Sequence, residues 1–357
     1  ETGFVRVSAK WLDKAEATHM PQAAGLSGNN VTDSIAGFSA SGDSLHNPYI
    51  RYGRDVDGEN TINAYDLADG IRTEVKSLAM QANFDLGADI VVDARARYQD
   101  ISGNFNAPFT HLVVDADTLL DLSYGGAAAS LFNGPGAGNP VTSDSLIAAT
   151  GNPYISDVTY FNTDLDDLSN FAGDLRASKS FDFGASTLDV TLGYFFMDQT
   201  FAQDWHWNRF LTSTSTHAAL IDVEGFTDNG ILGYNQGFGW TGNNRNYDLE
   251  YQARAPYVAA SWSLDTGLTL DGSVRLDTLE QTGTRTDGAG GPFDVDGDGL
   301  IDAPEAAVSL NTGLGGTTNF EVDHTAFTIG ANYLLSNALS VFGRYSEGAA
   351  FNGERQL

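Results

Sequence analysis

The sequence predicts an all-β protein, a transmembrane antiparallel β-barrel with long extracellular loops. Three observations predict it: apolar and polar residues alternate over segments longer than ordinary strands, charges stand mid-strand on the polar faces, and short connections alternate with long ones. Strands of globular proteins usually have about five or six residues, whereas a tilted strand that crosses a membrane needs ~9–11.

The alternating segments follow one another along the whole chain. In each, apolar side chains occupy every second position, which gives the strand one apolar and one more polar face. The segments are Val5–Trp11, Leu78–Phe84, Ile90–Tyr98, Leu188–Phe196, Val258–Leu264, Val274–Leu276, Phe327–Tyr333 and Val341–Tyr345. We expect about nine or ten strands, too few to close around the large lumen that the loops imply.

Charged residues in these segments distinguish a barrel from a sandwich. Asp93, Arg95, Arg97 and Arg275 stand in the middle of the polar faces. One face of a sandwich sheet forms a dry core and the other meets solvent, whereas the polar face of a large barrel lines a wet or plugged lumen. The mid-strand charges therefore favour the barrel.

The connections come in two sizes that alternate. Short ones occupy 85–89, 182–186, 265–267 and 336–337, and long ones run over about 12–73, 100–170, 200–246 and 281–323. Outer-membrane barrels have short periplasmic turns and long extracellular loops, and compact globular domains rarely carry several such loops. A short helix is expected near 144–150, with Ser143 or Asp144 as its N-cap.

Composition excludes several classes of function. The 18 basic and 47 acidic side chains give a net charge of −29, which excludes a nucleic acid as partner because the phosphate backbone repels such a surface. With no cysteine, the chain has no disulfide framework, thiolate nucleophile or thiolate metal site. No apolar run is long enough for a transmembrane helix.

One motif carries specific chemistry, the acidic segment 294–305. It matches the EF-hand calcium pattern D-x-D-x-D-G-x₅-E at every defining position. The predicted ligands are the side chains of Asp294, Asp296 and Asp298, the carbonyl of Leu300, Asp302 directly or through water, and a bidentate Glu305.

The sequence therefore predicts a structural Ca²⁺ ion in this loop. Pro304 and the glycines of 288–291 argue against flanking helices, so we expect the loop to stand alone and to rigidify an external loop. The alternative is an acidic, solvated loop.

Other candidate motifs are weaker. The six histidines are scattered, so each is expected in a loop or on the barrel surface. Trp205 and Trp207 form an aromatic cluster that could stack on a sugar, although a membrane-interface girdle or loop packing is favoured. The neighbouring carboxylates Asp164, Asp166 and Asp167 could be glycosidase acids, but in so acidic a chain such pairs arise by chance.

The order and spacing of several stretches resemble the barrel of TonB-dependent outer-membrane receptors of a proteobacterial type. The matching stretches are 3–13 with 19–22, 68–70, 74–87, 97–105 with 108–109, 167–170 with 174–176, 203–208, 255–257, 294–305, 331–333, 341–346 and 351–355. In the last of these, Gly353-Glu354 stands where the family has Ala-Asp.

The resemblance implies more than composition does. These receptors have a 22-stranded barrel and an N-terminal plug, so residues 1–357 are expected to be a barrel segment without the plug and the closing strands, with 294–305 as an EF-hand-like loop inside an extracellular loop. The implied location is the outer membrane of a Gram-negative bacterium, where outer-membrane lipid and lipopolysaccharide surround the barrel.

The implied function is active transport rather than catalysis. Such receptors bind and import a scarce nutrient (a siderophore, cobalamin or an oligosaccharide), with energy from TonB–ExbB–ExbD acting through the plug. The family has no common substrate-binding motif, so the substrate-binding residues stay unassigned. The alternatives are a secreted, calcium-stabilised β-rich adhesin or surface-layer protein and a carbohydrate-active β-enzyme.

Overall fold

The computed structural model describes residues 3–20, 22–32, 34–235 and 245–349. Strands dominate these residues. In chain order they are β1 (Gly3–Glu16), β2 (Gly25–Ser27), β3 (Asn30–Thr32), β4 (Ser34–Ile35), β5 (Phe38–Ser39), β6 (Tyr52–Val56), β7 (Ile62–Asp66), β8 (Ile71–Gly87), β9 (Ile90–Asp115), β10 (Ala129–Leu131), β11 (Tyr154–Asp167), β12 (Asn170–Asp182), β13 (Ser186–Ser213), β14 (Ile221–Val223), β15 (Ile231–Gly233), β16 (Arg245–Leu264), β17 (Leu268–Gly291), β18 (Val308–Ser336) and β19 (Leu339–Glu347).

The helices are short. Two are α-helices, α1 (Ala116–Tyr124) and α2 (Ser143–Thr150), and two are 3₁₀ turns at Leu67–Asp69 and Ala303–Glu305. Within the described ranges, none of the helices has the length and apolar character needed to cross a membrane. Helix α2 confirms the expected helix, but its N-cap is Thr142, whose hydroxyl accepts from the backbone N–H of Ser145, and not Ser143 or Asp144.

Eleven strands form one large antiparallel sheet. Nine of them follow the order β1-β8-β9-β11-β13-β16-β17-β18-β19. Strand β12 continues the position of β11 between β9 and β13, and β15 pairs with β13 beyond the end of β16. The sheet thus has nine adjacent positions, in line with the expected nine or ten strands, although the sequence patterns did not reveal β11 and β12.

The two faces of the sheet differ sharply in polarity. One row of paired residues across seven strands is wholly apolar: Phe84, Val92, Ala177, Leu192, Val258, Val274 and Phe327. The next row, which points the other way, is Asn83, Asp93, Arg176, Gly193, Tyr257, Arg275 and Ala326. We call these the apolar face and the polar face.

The apolar face is uncovered over the part of the sheet nearest the short turns. Leu192 is 61% exposed and Ile329 is 62% exposed. Water-soluble proteins rarely leave so large a contiguous apolar surface open, so this face requires an apolar environment. On the polar face, Asp174 accepts a hydrogen bond from the Tyr257 hydroxyl at 2.9 Å and lies 3.6 Å from the Arg176 guanidinium.

The short connections are tight hairpins, as the sequence predicts. Between β8 and β9, Ala88 and Asp89 both have positive φ, at 52° and 60°. Two successive residues of this kind form the turn whose twist matches that of the flanking strands.

Several strands extend well into segments that the sequence assigned to long loops. Strand β9 runs to Asp115, β13 to Ser213, and β18 already begins at Val308. That assignment was wrong because the backbone ladder between neighbouring strands continues through these extensions. In β9 and β13 several of their aromatic residues, among them Phe105, Phe109 and Trp205, point to one face of the strand.

The loops carry their own cores beyond the apolar face. Helix α1, helix α2 and strands β10 and β14 pack on β11 and β13 around Leu119, Leu146, Ile155, Leu211 and Ile221. A second cluster packs the segment before β6 on the same two strands, β11 and β13, through Leu45, Ile50, Val158, Tyr160 and Phe210. These loop regions are therefore folded against the sheet.

Candidate calcium loop and binding cavity

The predicted calcium loop connects β17 to β18, and three of its acidic side chains converge. Ligand oxygens of Asp294, Asp296 and Glu305 all lie within 4.8 Å of one another. Three converging carboxylates are the hard oxygen donors that calcium prefers.

Backbone N–H groups hold the first carboxylate of this group in place. The two oxygens of Asp294 accept from the N–H groups of Gly297 at 2.7 Å and Gly299 at 3.0 Å. Gly299 has φ 85°, a left-handed conformation that side-chain-bearing residues adopt only with strain. The glycine thus permits the sharp turn, as the motif predicts.

Glu305 closes the loop from the 3₁₀ turn. It is 2% exposed, and its Oε1 accepts from the N–H groups of Val295 at 2.6 Å and Asp296 at 3.1 Å. These bonds bring the twelfth position of the motif back onto the second and third positions.

The remaining predicted ligands do not converge with this group. Asp298 instead accepts from the N–H of Leu300 at 2.7 Å, and Leu300 itself is 63% exposed. The backbone N–H of Asp302 donates to Oε2 of Glu305 at 3.3 Å, but the Asp302 carboxylate is not part of the converging group. The structure therefore brings together three of the six predicted residues, and the Ca²⁺ ion stays a prediction.

The neighbourhood of the loop is negatively charged. Burial, reinforced by Asp296, Asp302, Asp222 and Glu305, raises the pKa of Asp228 to about 6. A cation bound between Asp294, Asp296 and Glu305 would reduce this mutual repulsion.

The loop is anchored to the hairpin of β6 and β7. Val295 is fully buried against Val56, Tyr234 and Val308. The Arg54 guanidinium donates to the carbonyls of Val295 and Asp296.

The same hairpin docks on the wall strands β11 and β13. Asn162 donates to Asp55 at 2.8 Å, Asn208 donates to the Arg54 carbonyl at 2.6 Å, and His206 bonds the Val56 carbonyl at 2.7 Å. The hairpin is thus fixed between the sheet and the calcium loop. His206 is only 1% exposed, so the expectation of a loop or surface histidine was wrong for it: strand alternation turns it into the docked hairpin.

A cavity of about 470 Å³ lies on the other side of the same strands. Four aromatic residues line it, Phe105, Phe109, Phe161 and Trp205, and Ile71 adds a further apolar side chain. Phe161 contacts Phe109 edge-on at 4.9 Å between ring centroids, and Trp205 in the same way at 6.2 Å. Such a surface suits a ligand with flat, apolar rings.

The cavity belongs to the polar face. The register pairs Ile71 with Phe105 and Gln81 with Arg95. Because Ile71 and Gln81 are an even number of residues apart in β8, their side chains point to the same face of the sheet. Trp205 and Trp207 therefore do not form a girdle on the apolar face; Trp207 is 2% exposed and packs on Phe161. Sequence reasoning missed the cavity because its residues come from separate strands and only the register unites them.

Comparisons with known proteins identify the fold. No protein-family model and no curated protein matches the sequence. Among solved structures, the open form of the ferric-catecholate import receptor Fiu from E. coli K12 aligns with a TM-score of 0.51 at 14% identity, over 97% of this chain and 44% of that one. The chain has the fold of a TonB-dependent receptor barrel.

Two further structures are similar at lower scores. The closed form of Fiu has a TM-score of 0.49 at 14% identity, over 96% of this chain and 40% of that one. The siderophore receptor PiuA from Acinetobacter baumannii has 0.45 at 12% identity, over 97% of this chain and 39% of that one. The chain thus spans less than half the length of these receptors. The open form of Fiu alone confirms the predicted all-β barrel fold.

Proposed function

We propose that this chain forms part of the wall of a receptor in the outer membrane of a Gram-negative bacterium, which imports a scarce nutrient with energy from TonB–ExbB–ExbD. The observation that supports it most is the two-faced sheet, whose uncovered apolar face backs a face lined with arginine and aspartate. Such a sheet suits lipid on one side and a wet or plugged lumen on the other. The work proposed is binding and passage, with no reaction catalysed.

The proposed substrate contacts lie in the aromatic cavity. A ferric catecholate, the ligand class in the name of the receptor Fiu, carries flat aromatic rings that would stack on Phe161 and Trp205. Cobalamin and oligosaccharides are the other proposed substrate classes of the receptor.

An uptake assay in the complete receptor tests the proposal. Trp205→Ala should reduce the uptake of a radiolabelled ferric catecholate, because it removes a ring that lines the cavity. Trp262→Ala, on the apolar face, is the matched control and should transport normally. Equal uptake by Trp205→Ala and wild type would contradict the assignment of the cavity. In a separate test, a protein that stays soluble without detergent would support the alternative, a secreted adhesin.

The loop 294–305 is proposed to bind a structural Ca²⁺ ion. The three carboxylates that converge there support this, and an affinity of the order of 10⁻⁴–10⁻³ M is expected, as in extracellular modules. The ion would stiffen the external loop. Divalent cations could also tether lipopolysaccharide to the acidic loops.

Hydrogen exchange tests the calcium site. A chelator should lower protection of the backbone N–H groups of 294–305, and Glu305→Gln should abolish the effect of calcium because Glu305 closes the loop. Glu224→Gln, outside the motif, is the control. Protection that does not respond to calcium in wild type would refute the site.

A further inference from the structure

Three arginines on the polar face lack an anionic partner among the described residues, and all three line one cavity. Arg6 of β1 and Arg95 and Arg97 of β9 border a recess of about 340 Å³. We propose that this recess binds a small oxyanion with more than one negative charge. The inference rests on the proposed function in one respect, that the polar face lines the lumen.

The register brings the three guanidinium groups to the same recess. Gln81 of β8 pairs with Arg6 on one side and with Arg95 on the other, so these residues stand in one row across three strands. Neighbouring strands lie ~4.8 Å apart, which puts the backbones of Arg6 and Arg95 about 10 Å apart. Arg97 follows Arg95 by two residues and points to the same face.

Small side chains leave the recess open. In the next row of the sheet, Ser8, Ala79 and Ala172 lie beside Arg97. All of them line the cavity. Because these side chains are short, a ligand in the lumen can reach the guanidinium groups.

The lack of a partner sets these arginines apart in the described part of the chain. Every other arginine side chain that the structure describes has a carboxylate or a backbone carbonyl as partner. Arg6, Arg95 and Arg97 form no ion pair or hydrogen bond with the described residues, and the Arg6 guanidinium lies 5.7 Å from the centre of the Phe4 ring. Such a group is unexpected in a chain with 47 acidic side chains.

Asp174 is the carboxylate that borders the recess, and it is already engaged. It accepts from the Tyr257 hydroxyl at 2.9 Å and lies 3.6 Å from the Arg176 guanidinium. The positive charge of the recess therefore exceeds its negative charge. A cleft lined by an excess of one sign concentrates ions of the other sign.

The donors select the class of ligand. A guanidinium group presents a planar fork of N–H donors that matches two oxygens of a carboxylate or a phosphate. The amide of Gln81, between Arg6 and Arg95, can donate as well. Three separate guanidinium groups favour a ligand with several charges, such as a polycarboxylate or phosphate, over a monoanion.

The recess is a different site from the aromatic cavity on the same face. Along β9, Arg95 lies nearer to the β8–β9 turn than Phe105, which lines the aromatic cavity. A solute that has passed the aromatic rings would meet the arginines next. The sheet would thus favour anionic solutes over neutral and cationic ones.

Isothermal titration calorimetry on the complete receptor in detergent, in a buffer without metal ions, tests the proposal. The probes are tricarballylate, which carries several carboxylates, and inorganic phosphate. Wild type should bind at least one of them, more weakly as the salt concentration rises, and should bind acetate at least about 10-fold more weakly. Arg95→Gln and Arg97→Gln should each weaken binding of the polyanion by at least about 10-fold.

Arg275→Gln is the matched control. It removes the same charge from the same face, but Arg275 pairs with Asp277 at 2.7 Å and lies outside the recess, so this variant should bind as wild type does. Arg97→Lys keeps the charge without the planar fork and should bind more weakly than wild type but more tightly than Arg97→Gln. Heat-modifiable gel mobility shows whether each variant folds.

The outcome is independent of the uptake assay, because binding is measured directly and Trp205 lies outside the recess. Normal binding of the polyanion with failed uptake would count against the proposed transport alone. Two results would overturn the anion site. One is the absence of binding of either probe to wild type, as when a carboxylate of the receptor itself fills the recess, and the other is wild-type binding by the folded Arg95→Gln and Arg97→Gln variants.

Discussion

Gly58 illustrates how single residues fix the hairpin on the wall. A Cβ atom at this position would lie 1.7 Å from Asn246 Nδ2 and 2.4 Å from Asp204 Oδ1. Its carbonyl also accepts from Asn311 at 2.7 Å, so the chain cannot retreat without losing that bond. A side chain here would force the side chains of Asn246 and Asp204 to move.

Gly58→Ala should therefore loosen the hairpin. Overpacking of this kind costs about 1–3 kcal/mol. We expect a lower midpoint of thermal unfolding and faster proteolysis within 56–62. Gly316→Ala is the matched control, because a Cβ there meets nothing within 4 Å, and equal stability of the two variants would contradict the packing argument.

The buried carboxylates of Asp164 and Asp204 predict that stability depends on pH. Burial raises the pKa of Asp164 and of Asp204 to about 6, above the ordinary value of 3.8. The folded protein therefore holds more protons than the unfolded chain between these values, so the stability of this region is greatest below the ordinary pKa and falls as the pH rises through about 6.

Hydrogen exchange at 55–58 and 204–206 measures this effect. Corrected for intrinsic rates, the free energy of opening should be lower at about pH 7 than at about pH 4.5. Asp164→Asn should flatten the dependence, whereas Asp144→Asn on helix α2 should not. A free energy that rises with pH would show that the sign is wrong.

Residues were predictable where they lie close together in the sequence. The spacing of Asp294, Asp296 and Glu305 within one motif identified a group that the structure brings together. Arg6 and Arg95 come from different strands, and no local pattern connects them. The same limit hid the aromatic cavity.

Strand β16 shows how well alternating apolar residues predict a strand and its apolar face. Val258, Ala260 and Trp262 marked its apolar face, and the register confirms it, since Val258 pairs with Leu192 and Val274. Apolar and polar residues alternate where one face of a strand meets apolar surroundings and the other face does not. It therefore located the middle of most strands of the sheet, but not β11, β12 or the extensions of β9 and β13.

Two neighbouring substitutions in β16 separate the faces. Val258→Arg should destabilise the inserted barrel by about 2–4 kcal/mol, because it places a charge on the lipid side. Ala259→Arg lies beside Arg275 and Ser273 on the polar face and should cost much less. Denaturant unfolding in lipid vesicles measures both, and equal losses would contradict the two-faced sheet.

At the scale of the whole molecule, the sheet is open between β1 and β19 in the described residues. Length, charge and loop pattern predicted a barrel wall, and the similarity to Fiu confirms that fold.

The central claim is that one face of the sheet meets lipid and the other an aqueous lumen. Spin labels placed one at a time at 257–262 of β16, in the receptor embedded in outer-membrane lipid, test it most directly. Labels at 258, 260 and 262 should be accessible to oxygen dissolved in the lipid, and those at 257, 259 and 261 to a water-soluble nickel reagent. Labels shielded from both reagents at every position would reveal a dry core and contradict the account.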